Sequence, residues 1–241
     1  TVICKRIYTN VTHLFQMLPN QAIPKANITN SSSNSLNISW KVFIGSAICI
    51  KNVNIIFNGC TFTKSSIYAD GDSSYSLSFH HSLWTGSYAS ESEDGILVVK
   101  NYAKVNFKSC KFHSYKTINV SPLIAITKTR LIALVECIGR DISRQFLHVK
   151  SSSVLLVVKV ILDNSYTTNS LPTIMIHAAN KIFMMQSYFI KIGTIRIVDV
   201  GHVEVGSGVF QNSSCVFSFS LHKSKSVLNV IRGSQFLNCF C

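Results

Sequence analysis

Apolar and polar residues alternate in short bursts along most of this chain, and the bursts share one frame. The frame apolar-x-apolar-x-x-small-x-aromatic fits Ile55, Phe57, Cys60 and Phe62, then Leu77, Phe79, Ser82 and Trp84. It fits again at Val105, Phe107, Cys110 and Phe112, and at Leu155, Val157, Val160 and Leu162. Further copies fall at Ile182, Met184, Ser187 and Phe189 and at Val203, Val205, Gly208 and Phe210. Two looser copies are Ala133, Val135, Ile138 and Arg140, and Asn229, Ile231, Ser234 and Phe236. Their second positions lie 22, 28, 28, 22, 27, 21 and 26 residues apart, giving eight copies. Alternation at period two marks strands, and recurrence every 20 to 50 residues marks a solenoid, propeller or array.

A second apolar strand precedes most copies, at 47–50, 96–99, 123–126, 146–149, 173–176, 195–198 and 216–219. One unit is therefore strand, polar turn, strand and a short third segment ending on the aromatic. No amphipathic helix separates the units, which excludes the helical crossovers of a βαβ fold. Propeller blades need about 40–45 residues, more than these units hold. The pattern predicts an all-β, right-handed parallel β-helix of about eight coils. Like positions then stack about 4.8 Å apart. Six of the eight final positions are aromatic, against 10% of the whole chain, which predicts a buried aromatic ladder. Arg140 breaks it: an inward Arg would need Glu136 or Asp141 as a partner, and a local shift that turns Arg140 outward is expected instead.

The stretches NVNIIFNGCTF (52–62) and KVNFKSCKF (104–112) resemble the degenerate β-helix repeats of the pectin lyase-like superfamily. The resemblance covers roughly residues 43–241. It implies the fold and leaves function open, because that superfamily hosts lyases, hydrolases, adhesins and structural arrays. Residues 1–42 fall outside the frame. They read as an irregular N-terminal segment capping the first coil, with a short helix from Asn10 to Leu18 and a Ser/Asn-rich stretch at 27–39. Residues 43–241 read as the repeats. The last unit stops at Cys241, and an uncapped sheet edge invites pairing, so the chain is expected to belong to a longer solenoid.

The 47% of hydrophobic and 14% of charged residues exclude a disordered chain. The densest apolar run, 154–162, is broken by Lys159 and is shorter than the roughly 20 residues of a membrane span. A strand buried on both faces is expected there. Lys and Arg outnumber Asp and Glu by 23 to 10, for a net charge of +13, which draws polyanions. No nucleic-acid-binding motif accompanies the charge.

Seven basic residues, Lys100, Lys104, Lys108, Lys111, Lys116, Lys128 and Arg130, lie between Gly95 and Val135 with no acid among them. Lys100, Lys128 and Lys150 share one offset from the frame, and Lys51 lies one residue off it. These lysines, with Lys104, form the candidate polyanion site, since stacked like charges repel until an anion relieves them. Five of the ten acids crowd 70–94, and Glu136, Asp141, Asp163, Asp199 and Glu204 scatter over different offsets. That gives no paired carboxylates for a hydrolase and no acid cluster beside a base for a lyase. His80 and His81 are the only paired histidines, and no metal or other cofactor is expected.

Eight cysteines contain no CxxC pair, which argues against structural zinc. An equal offset makes Cys215–Cys241 a candidate disulfide, with Cys239 a rival partner, and Cys110–Cys137, within one offset of each other, a second candidate. Six glycosylation sequons stand at Asn10, Asn27, Asn30, Asn37, Asn119 and Asn212. These features suit an extracellular or cell-surface protein. The expected function is a non-catalytic β-helix module: a scaffold, adhesion or acidic-glycan contact segment. The alternative is a polysaccharide lyase acting on an acidic glycan. In a third reading the only partners are neighbouring coils or subunits.

Overall fold

The computed structural model describes residues 25–29, 35–86, 96–115, 121–165, 171–213, 217–220, 227–230 and 233–239. Among these residues the secondary structure is strand and turn, with no helix. The strands stack in parallel as a β-solenoid with two sheets, one of 15 strands and one of 9. Each coil crosses the larger sheet twice and the smaller once. Leu97–Lys100, Lys104–Lys108 and Lys111–Tyr115 are the three limbs of one such coil. In three coils the first two limbs run on as single 12-residue strands, Ile124–Val135, Leu147–Val158 and Ile174–Met185.

The 9-stranded sheet holds one strand more than the eight repeats legible in the sequence. The extra coil contains Lys25–Thr29, Leu36–Ser39 and Val42–Ile44. Regular structure therefore reaches back to Lys25, inside the stretch expected to be irregular. Its frame was hidden because Lys41 stands where the frame Leu36, Ile38, Phe43 has its small residue.

Each coil turns through left-handed backbone at its corners. Lys128, Ser151 and Ala178 hold φ of 52°, 58° and 57° at the first corner, between the limbs of the long strands. Glu136, Lys159 and Gln186 hold 57°, 54° and 51° at the second. Such angles cost a non-glycine residue roughly 1–2 kcal/mol, and the hydrogen-bonded coils on either side hold them in place. The small position of the frame serves the second corner. Cys60 Sγ, Cys110 Sγ and Cys137 Sγ donate to the Ile38, Phe79 and Phe107 carbonyls of preceding coils at 3.3, 3.2 and 3.6 Å. Ser82 Oγ donates to the Phe57 carbonyl in the same way, at 3.4 Å. In these four coils the short donor satisfies a carbonyl of the preceding coil that faces the interior.

The core contains two aromatic columns. Phe57, Phe79 and Phe107 stack at 5.1 and 5.2 Å. Phe43, Phe62, Trp84 and Phe112 stack beside them at 5.0, 4.2 and 6.0 Å. Edge-to-face contacts such as Phe57–Phe62, at 5.5 Å and 75°, tie the two together. The second column then meets Gly139, not Arg140: the register runs Phe112, Gly139, Leu162, Phe189, Phe210 and Phe236. The buried frame in this coil is Ile132, Leu134, Cys137 and Gly139, one residue earlier than the sequence suggested. Phe146 fills the space above the glycine, 5.5 Å from Phe112 and nearly perpendicular to it. In the last coil Leu228 and Val230 pair with Val203 and Val205, again one residue earlier than read.

The run 154–162 is buried on one face only. Leu155 and Val157 enter the core, whereas Val154, Leu156 and Val158 face outward and are partly exposed. Register places them between Leu131, Ala133 and Val135 on one side and Lys181, Phe183 and Met185 on the other. The outer face of the second limb is thus apolar across its three longest strands.

Candidate polyanion-binding site

Register decides which lysines meet. The last residues of the first limb form one column: Lys51, Asp70, Lys100, Thr127, Lys150, His177 and Val198. Lys128 is not in it. Thr127 takes that place, because the frame residue of this coil is Leu134 and not Val135, and the offset of seven counted from Leu134 falls on Thr127. Asp70 separates Lys51 from Lys100, and its carboxylate accepts from Asn101 Nδ2 at 2.8 Å. Lys51 is therefore cut off from the other lysines.

The remaining candidates converge on the first corner. Four successive coils cross it as 100–104, 127–131, 150–154 and 177–181, and none of these segments contains an acid. They contain Lys100, Lys104, Lys128, Arg130, Lys150 and Lys181, with His177 beside them. Lys104, Lys128, Arg130, Lys150 and Lys181 are exposed. The Lys100 ammonium lies over the Tyr68 ring, 5.2 Å from its centroid, a cation–π contact that steadies the side chain. Carboxylates bound the ridge at both ends: Asp70 on one side, and on the other Asp199, 3.5 Å from His177 Nε2. Arg130 and Lys181 were missed as site residues because neither shares the offset of Lys100 and Lys150: Arg130 stands two residues past Lys128 in the corner, and Lys181 opens the second limb opposite Val154.

Three imidazoles are shifted by burial and by neighbouring cations. Burial holds His148 below its ordinary 6.5, and Lys150 and His177 push it in the same direction. His80 is lowered by burial, His81, Lys108 and Lys104. His113, on the third limb, is lowered by burial, Arg140 and Lys111. In each case neighbouring cations disfavour another positive charge.

The acids are apportioned elsewhere. Glu136 lies 3.9 Å from Lys159 and accepts from Ser109 at 3.2 Å. Asp141 accepts from Asn164 Nδ2 at 2.7 Å, and Glu204 faces His202 at 3.5 Å. Asp163 is in register with Arg140, which is exposed. Among the described residues no group of three His, Cys, Asp or Glu side chains is arranged to hold a metal ion, and no helix is long and apolar enough to cross a membrane. One cation is internal. Arg144 is 2% exposed; it donates through Nε to the Ser121 carbonyl at 2.8 Å and through a terminal nitrogen to that carbonyl and to Ser121 Oγ. Burial lowers it to about 10. It closes a turn and does not reach the ridge.

The candidate Cys110–Cys137 bridge is not formed: both are buried free thiols. Adjacent coils set their Cα–Cβ bonds parallel about 4.8 Å apart, wider than the roughly 3.8 Å Cβ separation a disulfide favours. Cys239, the rival partner, is also a free thiol. Cys215 and Cys241 lie outside the described residues, as do the sequons at Asn10, Asn30 and Asn119. Asn27 belongs to the strand Lys25–Thr29. Asn37 and Asn212 are exposed, and Asn37 Oδ1 accepts from the sequon hydroxyl of Ser39 at 3.1 Å. Compared with known proteins, the chain matches no family model, no curated protein and no solved structure.

Proposed function

We propose that this chain is a non-catalytic, extracellular or surface β-helix module of the pectin lyase-like kind, which holds acidic polysaccharide along its first corner. The observation that carries the reading is the acid-free ridge of Lys100, Lys104, Lys128, Arg130, Lys150 and Lys181 across four successive coils. Coils about 4.8 Å apart spread the cations in a staggered band, with Lys100 and Lys150 in one row, Lys104 and Lys181 in another and Lys128 and Arg130 between them, which suits a linear polymer with an anionic group on each repeating unit. Such a ridge supplies charge and ammonium donors and no general base beside a carboxylate pair, so its chemistry is retention of the polymer.

The test is titration of the pure chain with heparin and with polygalacturonate, with and without calcium, while ultraviolet absorbance is followed for unsaturated uronate products. The expected result is binding that weakens as salt screens the charges, with no product. Product release would overturn the reading in favour of a lyase. Binding that ignores salt would also contradict it.

A further inference from the structure

The ridge borders the apolar outer face of the second limb. Leu131, Val135, Leu156, Phe183 and Met185 are all partly exposed there, and they lie on adjacent strands. Lys181 is the only charged residue among the outward positions of these three strand segments. The backbone beneath is consumed by ladders to the coils on both sides. The centre of the face therefore offers a partner apolar area and no free N–H or C=O group. Cations flank it on three sides: Lys104 and Lys108 on the preceding strand, Lys128, Arg130 and Lys150 along the first corner, and Lys159 at the second, while His202 and Glu204 lie on the following strand. The nearby acids, Glu136 and Glu204, are engaged by Lys159 and His202.

We propose that this face docks on an anionic lipid bilayer, with Leu156, Phe183 and Met185 entering the headgroup boundary and the surrounding lysines meeting phosphate and carboxylate groups. The occupant must bring apolar volume to the centre and negative charge to the margin, without needing a directed hydrogen bond at the centre. A protein interface makes about one hydrogen bond per 100–200 Å², and this centre has none to give. A bilayer surface asks only for apolar area and a basic rim. A second copy is disfavoured by the net charge of +13. The proposal goes beyond polysaccharide binding, and its central residues lie off the ridge.

The experiment is sedimentation of the full chain with vesicles of phosphatidylcholine alone, and of phosphatidylcholine with phosphatidylserine in a roughly 2:1 ratio. The chain is expected to sediment with the anionic vesicles only. Leu156→Ser and Phe183→Ser are each expected to weaken that binding about ten-fold while heparin binding stays at the wild-type level, with a wild-type thermal unfolding transition showing that the variants are folded. If either serine variant fails to fold, Phe183→Trp serves instead: its indole emission is expected to shift to the blue on anionic vesicles, relative to wild type. Absence of sedimentation by the folded chain would overturn the proposal. So would vesicle binding that Lys128→Ala abolishes and Leu156→Ser leaves untouched, because charge alone would then explain it. Vesicle binding with loss of heparin binding would sustain this proposal and remove the polysaccharide reading.

Discussion

A β-carbon on Gly139 would stand 2.6 Å from Leu162 Cδ2 and 3.1 Å from Ile142 Cδ1. The position occurs in the aromatic column but belongs to Phe146, whose ring enters from a neighbouring segment and occupies the space. Gly139→Ala is expected to overpack the column and cost about 1–3 kcal/mol, measured by urea unfolding; an unchanged midpoint would contradict the packing. His148 makes a second test. Burial first, then Lys150 and His177, hold it below 6.5. The unfolded chain takes up that proton at the ordinary value, the folded chain only at lower pH. The stability this imposes is whole above the ordinary value and is lost as pH falls from there through the lower value of the folded chain. His80 and His113 are shifted the same way. The melting temperature is therefore expected to fall between about pH 7 and pH 5. His148→Asn should flatten part of that slope; an identical slope would contradict the assignment.

Strands and corners differ in how plainly the sequence announces them. The second and third limbs were legible because the turn between them is constant, so Phe57 and Phe62 keep the same interval as Phe107 and Phe112. Stacking of those rings follows from parallel register. Phe112→Ala is expected to cost about 3–5 kcal/mol, since the ring is 0% exposed and contacts Trp84, Phe107 and Phe146. A loss under about 1 kcal/mol would contradict the ladder. The first limb was less legible, because the first corner varies in length. Thr127 and not Lys128 stacks between Lys100 and Lys150 because Leu134, one residue before Val135, sets the frame of that coil. Arg140 turned outward as anticipated, but its substitute Gly139 left no apolar mark in the frame. The role of Phe146 was invisible, since it fills the column from outside the frame.

Across the whole solenoid, charge and apolarity sort by side. The candidate lysines gathered on one edge although their offsets were misjudged: Lys100, Lys104, Lys128 and Lys150 occupy three successive crossings of the first corner, and Lys51 stands apart behind Asp70. Net charge alone would attract a polyanion anywhere on the molecule, so position must be separated from charge. The decisive comparison is heparin affinity at equal change in charge: Lys128→Ala with Arg130→Ala on the corner, against Lys64→Ala with Lys191→Ala. Lys64 and Lys191 are exposed and hold φ of 49° and 50° at the third corner. The corner pair is expected to lose about ten-fold or more in affinity and to flatten the salt dependence, with the remote pair near wild type. Equal losses from both pairs would contradict a built site and leave the charge as a diffuse property of the surface.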